Sequence, residues 1–253
     1  MHGWRARIGL LVPAVNNTME CELWSMVPKG VTVSTARIAC ERDGAADTLR
    51  GMEQEGKNAC ARVMTAEPDL VLFGCTSASF YEGPDWNRDF QAALTEQAGV
   101  PAITTTGAMV EALRRNGVRT VDVITPYVET TNERLRRYLE AEGVGVKSFG
   151  TFDMLDMFDH ARIQPGDVYR KVRDVVSDDA DAVFIACTQV RALEVVDVLE
   201  RDLGKPVYTA NQCSFWKAFE TLGVAPDVDG VGGALFRSLG GGGSAASTAR
   251  KIA

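Results

Sequence analysis

The sequence predicts an α/β protein built from two similar parallel-sheet units, with the site in the cleft between them. Three observations lead there. Short apolar, β-branched runs alternate with longer segments of helical period, the pattern of parallel strands joined by helices. Groups of residues recur in the same order in both halves of the chain, and each half sets a Cys-Thr pair directly after an apolar run. The elements follow in chain order. Strands are expected over 8–12, 31–36, 70–73, 102–104, 120–124, 147–149, 182–185 and 207–209, each apolar and bounded by Gly, Pro or polar turns. Helices are expected between and after them, over 18–26, 48–66, 85–98, 107–116, 131–142, 164–176, 190–202 and 214–222. The Gly-rich end can bury little and reads as a disordered tail. The domain reading is a first unit of 1–117 plus 212–238, a second of 118–211, and a tail of 239–253.

The repeat carries most of the information. Pro13-Ala-Val-Asn-Asn-Thr-Met-Glu20 matches Pro126-Tyr-Val-Glu-Thr-Thr-Asn-Glu133, 113 residues on, each following a strand and opening a helix. Asp69-Leu-Val-Leu-Phe-Gly-Cys75-Thr76 matches Asp181-Ala-Val-Phe-Ile-Ala-Cys187-Thr188, 112 residues on. Gly99-Val-Pro101 matches Gly204-Lys-Pro206. Parallel sheets bind ligands at the C-terminal ends of their strands, so a pseudo-twofold arrangement would set Cys75 opposite Cys187 across one cleft.

Composition narrows the chemistry. The 253 residues include 45% hydrophobic and 24% charged side chains, enough for a sizeable core. No apolar run has the length of a membrane span, and the first residues lack the pattern of a signal peptide, so a cytoplasmic protein is expected. A net charge of -7 argues against a nucleic-acid partner. The six cysteines include no C-x-x-C pair, so neither a disulfide framework nor a structural metal is expected. No glycine-rich phosphate loop is present, and no cofactor is implied. With two histidines in the chain, a Cys-His scheme looks weak: His2 lies near the terminus and His160 reads as a surface or capping residue. Cys21, Cys40, Cys60 and Cys213 lack partners in the repeat and read as packing residues.

Around the two cysteines stand neutral groups. Asn16 and Thr18 can cap a helix while unpaired N–H groups face a carboxylate, and Tyr127, Thr76 and Thr188 occupy comparable places beside strand ends. No Arg or Lys interrupts these motifs, which suits a small dianion held by N–H groups, hydroxyls and amides. A helix N-terminus can lower a thiol's pKa and make the thiolate accessible near neutrality. Two such thiols on opposite faces of a carboxylic acid permit proton transfer between faces, or addition to an activated double bond with proton delivery from the second thiol. Whether Glu82, Glu129 or Gln189 reaches the cleft is open at this point.

At these residues the sequence resembles the aspartate/glutamate racemase superfamily, in the branch that contains maleate cis-trans isomerases and arylmalonate decarboxylases. The similarity spans about residues 7–225. Val15-Asn16-Asn17-Thr18-Met19-Glu20 resembles the Asn-Thr-Thr-Met-Glu of the isomerases, with Asn17 in place of a Thr. Gly74 through Gly83, and Tyr127 followed by Asn132-Glu133-Arg134-Leu135, resemble the decarboxylase pattern, but the decarboxylases carry Gly where Cys75 stands. Cys187-Thr188-Gln189 resembles the Cys-Val-Gln of the isomerases, with Thr188 a departure. The resemblance implies a cofactor-independent cis-trans isomerase, homodimeric, converting maleate to fumarate. In it Cys75 would add to the alkene, Cys187 would handle the proton, and Asn16 and Tyr127 would contact carboxylate. Thr76 and Thr188 join them by position. Competing expectations are a two-cysteine racemase of aspartate, glutamate or a related carbon acid, a malonate-type decarboxylase, and a noncatalytic dicarboxylate-binding protein.

Overall fold

The structure, a computed structural model, describes residues 2–228 and 232–240. The first half contains β1 (Ala6–Pro13), α1 (Met19–Trp24), β2 (Val31–Ile38), α2 (Ala46–Val63), β3 (Leu70–Phe73), α3 (Thr76–Phe80), α4 (Pro84–Ala98), β4 (Ala102–Thr104) and α5 (Thr105–Arg115). The second contains β5 (Thr120–Thr125), α6 (Glu129–Ala141), β6 (Gly145–Thr151), α7 (Pro165–Val175), β7 (Ala182–Ile185), α8 (Val196–Leu203), β8 (Val207–Thr209) and α9 (Ala210–Leu222), followed by α10 (Gly233–Gly240).

Each half forms a four-stranded parallel sheet, in the order β2-β1-β3-β4 and β6-β5-β7-β8. The order is the same one twice. Ile8 pairs with Leu70 and Val71 with Ala102 in the first sheet, as Val121 pairs with Ala182 and Val183 with Val207 in the second. Helices cover both faces, and β3 and β7 are apolar throughout, every residue of both being buried. The larger core runs through both halves, taking in Ile8, Leu10 and Val12 with Val121, Phe184 and Phe215. A smaller one lies around Phe73, Phe90 and Leu94.

The helices that close the two units pack against each other. Both start from a threonine cap: Thr104 Oγ1 accepts from the Gly107 amide, and Thr209 Oγ1 accepts from the Gln212 amide. Ion pairs between α5 and α9 join Glu111 to Lys217 at 2.7 Å and Arg115 to Glu220. α10 lies on α8 and α9.

Four departures from the expected elements matter for the site. The chain after Cys187 does not continue as one helix from 190; it runs irregularly to a 3-10 turn, Leu193–Val195, and only then enters α8. Its backbone and side chains there are engaged by the first half instead. The short α3 begins at Thr76, in a stretch with no expected element. α6 opens at Glu129 rather than 131. α10 reaches Gly240, inside the expected tail; residues 241–253 lie outside the described ones.

Candidate active site

Two strand ends set the thiols. Cys75 follows β3 directly after Gly74, where a side chain would run into the Met19 sulfur and stand 3.1 Å from the Leu11 carbonyl. Only glycine lets β3 end this close to β1. Cys75 then caps α3 in an extended conformation (φ -137, ψ 109). Cys187 leaves β7 differently, at φ 87, in the left-handed region that a side chain rarely occupies. Both cysteines line one pocket together with Asn16, Thr76, Ser77, Tyr127, His160, Thr188 and Gln189, while Leu49, Val128, Met154, Leu155 and Met157 supply an apolar wall. Neither Arg nor Lys belongs to that lining. Among the described residues, no group of three or more His, Cys, Asp or Glu side chains could hold a metal ion, and no helix is long and apolar enough to cross a membrane.

The halves hold one another at this pocket. Asn16, buried, accepts the Thr18 and Met19 amides on Oδ1, both at 3.0 Å, and so caps α1. Its Nδ2 donates to Thr188 Oγ1 at 3.1 Å, and that hydroxyl donates to the Gly74 carbonyl at 3.1 Å. Thr188 is therefore a strut between the two thiol-bearing turns. Gln189 continues the clamp: Oε1 accepts the Asn17 amide at 2.7 Å and Nε2 donates to the Val15 carbonyl at 2.7 Å. Thr18 does not cap its helix; its hydroxyl donates to the Gln189 carbonyl at 2.8 Å.

Two hydroxyls have no such employment. Thr76 Oγ1 and Tyr127 OH are buried in the pocket lining without a hydrogen-bond partner. A buried, unpartnered hydroxyl costs stability, and a ligand oxygen would satisfy both. Tyr127 is aimed by its own turn: Asn132 Nδ2 and Thr151 Oγ1 donate to its carbonyl, and its amide donates to Thr125 Oγ1. Glu82 is engaged away from the pocket by Arg50 at 2.7 Å, Glu129 is exposed, and Gln189 does line it.

Burial dominates the electrostatics. The Cys75 thiol is pushed up to about 12 by loss of solvent, against the opposing pull of the Ala78 amide and the Ser77 hydroxyl. Cys187 is pushed up to about 11 by the same cause, opposed by the Gln189 amide, which donates to its sulfur at 3.4 Å. Burial thus outweighs any lowering by a helix N-terminus: α3 has only five residues, and neither Arg nor Lys lines the pocket to hold a buried thiolate. Burial likewise holds Tyr127 far above the ordinary phenol value, reinforced by the two thiols.

His160 corrects the sequence reading, which made it a surface or capping residue. The ring is buried and lines the pocket, its Nδ1 3.6 Å from Cys187 Sγ and its Nε2 3.1 Å from the Met154 carbonyl. The 153–160 segment brings it there by folding back against the 40–45 loop: Asp43 and Asp156 form an antiparallel bridge, and Met157 N donates to the Arg42 carbonyl at 2.7 Å. This segment has no matching motif in the first half, so the repeat gave no sign of it. All six cysteines are free, and Cys21 is exposed rather than packed.

Comparison with known proteins finds the same fold. A maleate isomerase from Pseudomonas putida is 28% identical over 242 residues, 90% of this chain and 96% of that protein. The arylmalonate decarboxylase of Bordetella bronchiseptica is 31% identical over 154 residues, 58% of this chain and 62% of that protein. A solved structure of the Nocardia farcinica maleate cis-trans isomerase, a Cys-to-Ser variant with a covalently bound succinylcysteine intermediate, superposes with a TM-score of 0.85 at 25% identity, covering 92% of this chain and 98% of that one. The model of the arylmalonate decarboxylase family matches residues 8–236. With its twice-built parallel sheet and its thiol-lined cleft, this enzyme belongs to the arylmalonate decarboxylase family, in the superfamily branch that also holds the maleate isomerases.

Proposed function

We propose that the protein is a maleate cis-trans isomerase working through two thiols, without a cofactor. The observation that carries this is the pairing of Cys75 and Cys187 in one pocket, beside two unpartnered hydroxyls and no fixed cation. The Cys75 thiolate adds to one alkene carbon of maleate while the Cys187 thiol gives its proton to the neighbouring carbon. The former double bond is then single and turns. Cys187, now a thiolate, takes a proton back from that carbon as the carbon–sulfur bond to Cys75 breaks, and the trans alkene leaves with both sulfurs restored. The succinylcysteine in the Nocardia relative supports a thioether of this kind. Thr76 and Tyr127 serve as donors to carboxylate, Asn16 through its remaining Nδ2 proton, and Thr188 by fixing the two turns. On this reading the working form is a cytoplasmic homodimer.

A second reading is decarboxylation of a substituted malonate, with Cys187 protonating the product. The apolar wall of Leu49, Val128, Met154, Leu155 and Met157 favours it, being more apolar surface than maleate fills. One experiment separates the two. The protein is incubated in deuterated water with maleate, aspartate, glutamate and an arylmalonate, and each is followed by proton NMR. Fumarate formed from maleate with no carbon lost is the expected result. Carbon dioxide from the arylmalonate with maleate untouched selects the decarboxylase, and deuterium entering an amino acid selects a racemase.

A further inference from the structure

We infer that His160 is the proton acceptor of the two-thiol site, its Nδ1 taking the proton of Cys187 so that the pocket generates its own thiolate. The inference rests on the reading above for its catalytic consequence, and on the geometry of the ring for its chemistry.

Two contacts fix the tautomer. A carbonyl oxygen can only accept, so the 3.1 Å contact to Met154 requires hydrogen on Nε2. In the neutral ring Nδ1 is then bare, and the Cys187 sulfur stands 3.6 Å from it. The thiol donates, and the ring is held ready to accept. Its edge-to-face contact with Tyr127, at 5.9 Å between ring centres, keeps it in place. Cys75 has no comparable partner: its sulfur faces Met52 Sδ at 3.6 Å and Ser77 Oγ at 3.8 Å.

The proton inventory shows what is gained. With both thiols protonated and the ring neutral, nothing in the pocket can add to an alkene as a thiolate. Transfer breaks the Cys187 S–H bond, leaves its electron pair on sulfur and forms Nδ1–H. The site then holds one thiolate, one thiol and one imidazolium, with no proton exchanged with solvent. For Cys75 to add, its own S–H bond breaks in turn and that proton passes to the Cys187 thiolate, which leaves a Cys75 thiolate and a Cys187 thiol as addition requires. The imidazolium is also the one cation that the pocket-lining side chains can produce, and a dianionic substrate favours its formation.

The surroundings of the ring permit the exchange. Asp156 and Asp159 flank it on its own segment and favour its charge, while Arg42 of the facing loop pairs with Asp156 and Arg162 with Asp159. Burial outweighs the two carboxylates and keeps the resting ring neutral, below the usual imidazole value. Tyr127 and Cys187 complete the groups that face it.

The test uses no substrate. Iodoacetamide alkylation of Cys187 is followed by peptide mass spectrometry in the full-length protein and in His160→Gln, between about pH 7 and 9, which lies above the imidazole and below the buried thiol. An internal proton acceptor adds a pH-independent thiolate fraction to the one formed by loss of a proton to solvent, so the wild-type rate levels off toward pH 7 instead of continuing to fall. In His160→Gln the thiolate forms only by losing its proton to solvent, and the rate climbs about tenfold per pH unit. Equal slopes in the two proteins, whatever their value, overturn the inference. Should the variant fail to fold, the wild type decides alone: a tenfold change per unit across the whole range overturns it, and a levelling toward pH 7 supports it. A protein that shows these slopes but leaves maleate untouched refutes the proposed function and leaves the proton acceptor standing.

Discussion

Cys75 and Cys187 end equivalent strands of equivalent sheets, yet little else about them is equivalent. Cys75 lies in ordinary extended backbone, caps a short helix, and faces a thioether and a hydroxyl. Cys187 lies in left-handed backbone, opens an irregular stretch, and faces an imidazole. The threonines that follow diverge as well: the Thr76 hydroxyl is unpartnered, and that of Thr188 is bonded in both directions. A duplicated scaffold thus supplies two sulfurs at matching places, and the loops give them different neighbours.

The largest effect expected comes from removing either sulfur. Cys75→Ser and Cys187→Ser should each lower kcat by at least about a thousandfold, since a hydroxyl is far less acidic than a thiol at the same place. Circular dichroism should show both variants folded. Near-normal turnover in either would leave the comparison without chemical content.

The threonine pair sharpens it. Thr76→Val should reduce kcat/KM by about ten- to a hundredfold while raising stability by about 1 kcal/mol, because it removes a buried hydroxyl that has no protein partner. Thr188→Val should do the reverse in stability, costing about 1–3 kcal/mol by leaving the Gly74 carbonyl and the Asn16 amide unpaired. Urea unfolding and steady-state kinetics on both variants check this. Equal losses of stability would mean that the two hydroxyls are equivalent after all.

Behind the Cys187 turn, Asn211 Nδ2 donates to the Thr188 carbonyl at 3.1 Å and to Glu22 Oε2 at 2.6 Å, while Glu22 Oε1 has no partner. Burial pushes the Glu22 carboxyl up to about 8. A carboxyl whose folded pKa is raised adds no penalty below the unfolded value near 4.3; between there and about 8 the unfolded chain releases the proton and the folded one keeps it, so stability falls as pH rises. Glu22→Gln should therefore gain on the order of 1–2 kcal/mol over the wild type at pH 9 and nothing at pH 4. Thermal unfolding at the two pH values reads it, and a gain independent of pH would argue against the carboxyl as the cause.

The smallest effect concerns backbone. At φ 87, Cys187→Gly should be more stable than Cys187→Ala by about 1 kcal/mol, although glycine is ordinarily the costlier residue to order. At Cys75, whose backbone is extended, the same pair should reverse. A common order at both positions would show that the left-handed turn stores no strain.

Much of this was legible in the chain. The strands over 70–73, 102–104, 182–185 and 207–209 coincide with β3, β4, β7 and β8, because fully buried parallel strands are uniformly apolar and end at sharp polar turns. The repeat brought out Cys75, Cys187 and Tyr127 for the same reason: each sits at a fixed place relative to a strand. His160 was not legible, because nothing local marks it. It sits among Asp159, Ala161 and Arg162, and becomes a pocket residue only because a loop 115 residues earlier in the chain bonds its segment down. Its partner is a backbone carbonyl, which every residue carries. The irregular path after Cys187 was hidden likewise, since the helical period from 190 competes with hydrogen bonds made to residues 15–18.

Those bonds to residues 15–18 span 171 to 174 residues of chain, which gives the site a date as well as a shape. Contacts so distant in sequence form late, after each sheet has paired locally. The first half by itself holds the residues that pack Cys75, among them Leu11, Met52 and Phe73, but none of Tyr127, His160 or Cys187. The pocket therefore exists only once the clamp has closed on both halves of the chain.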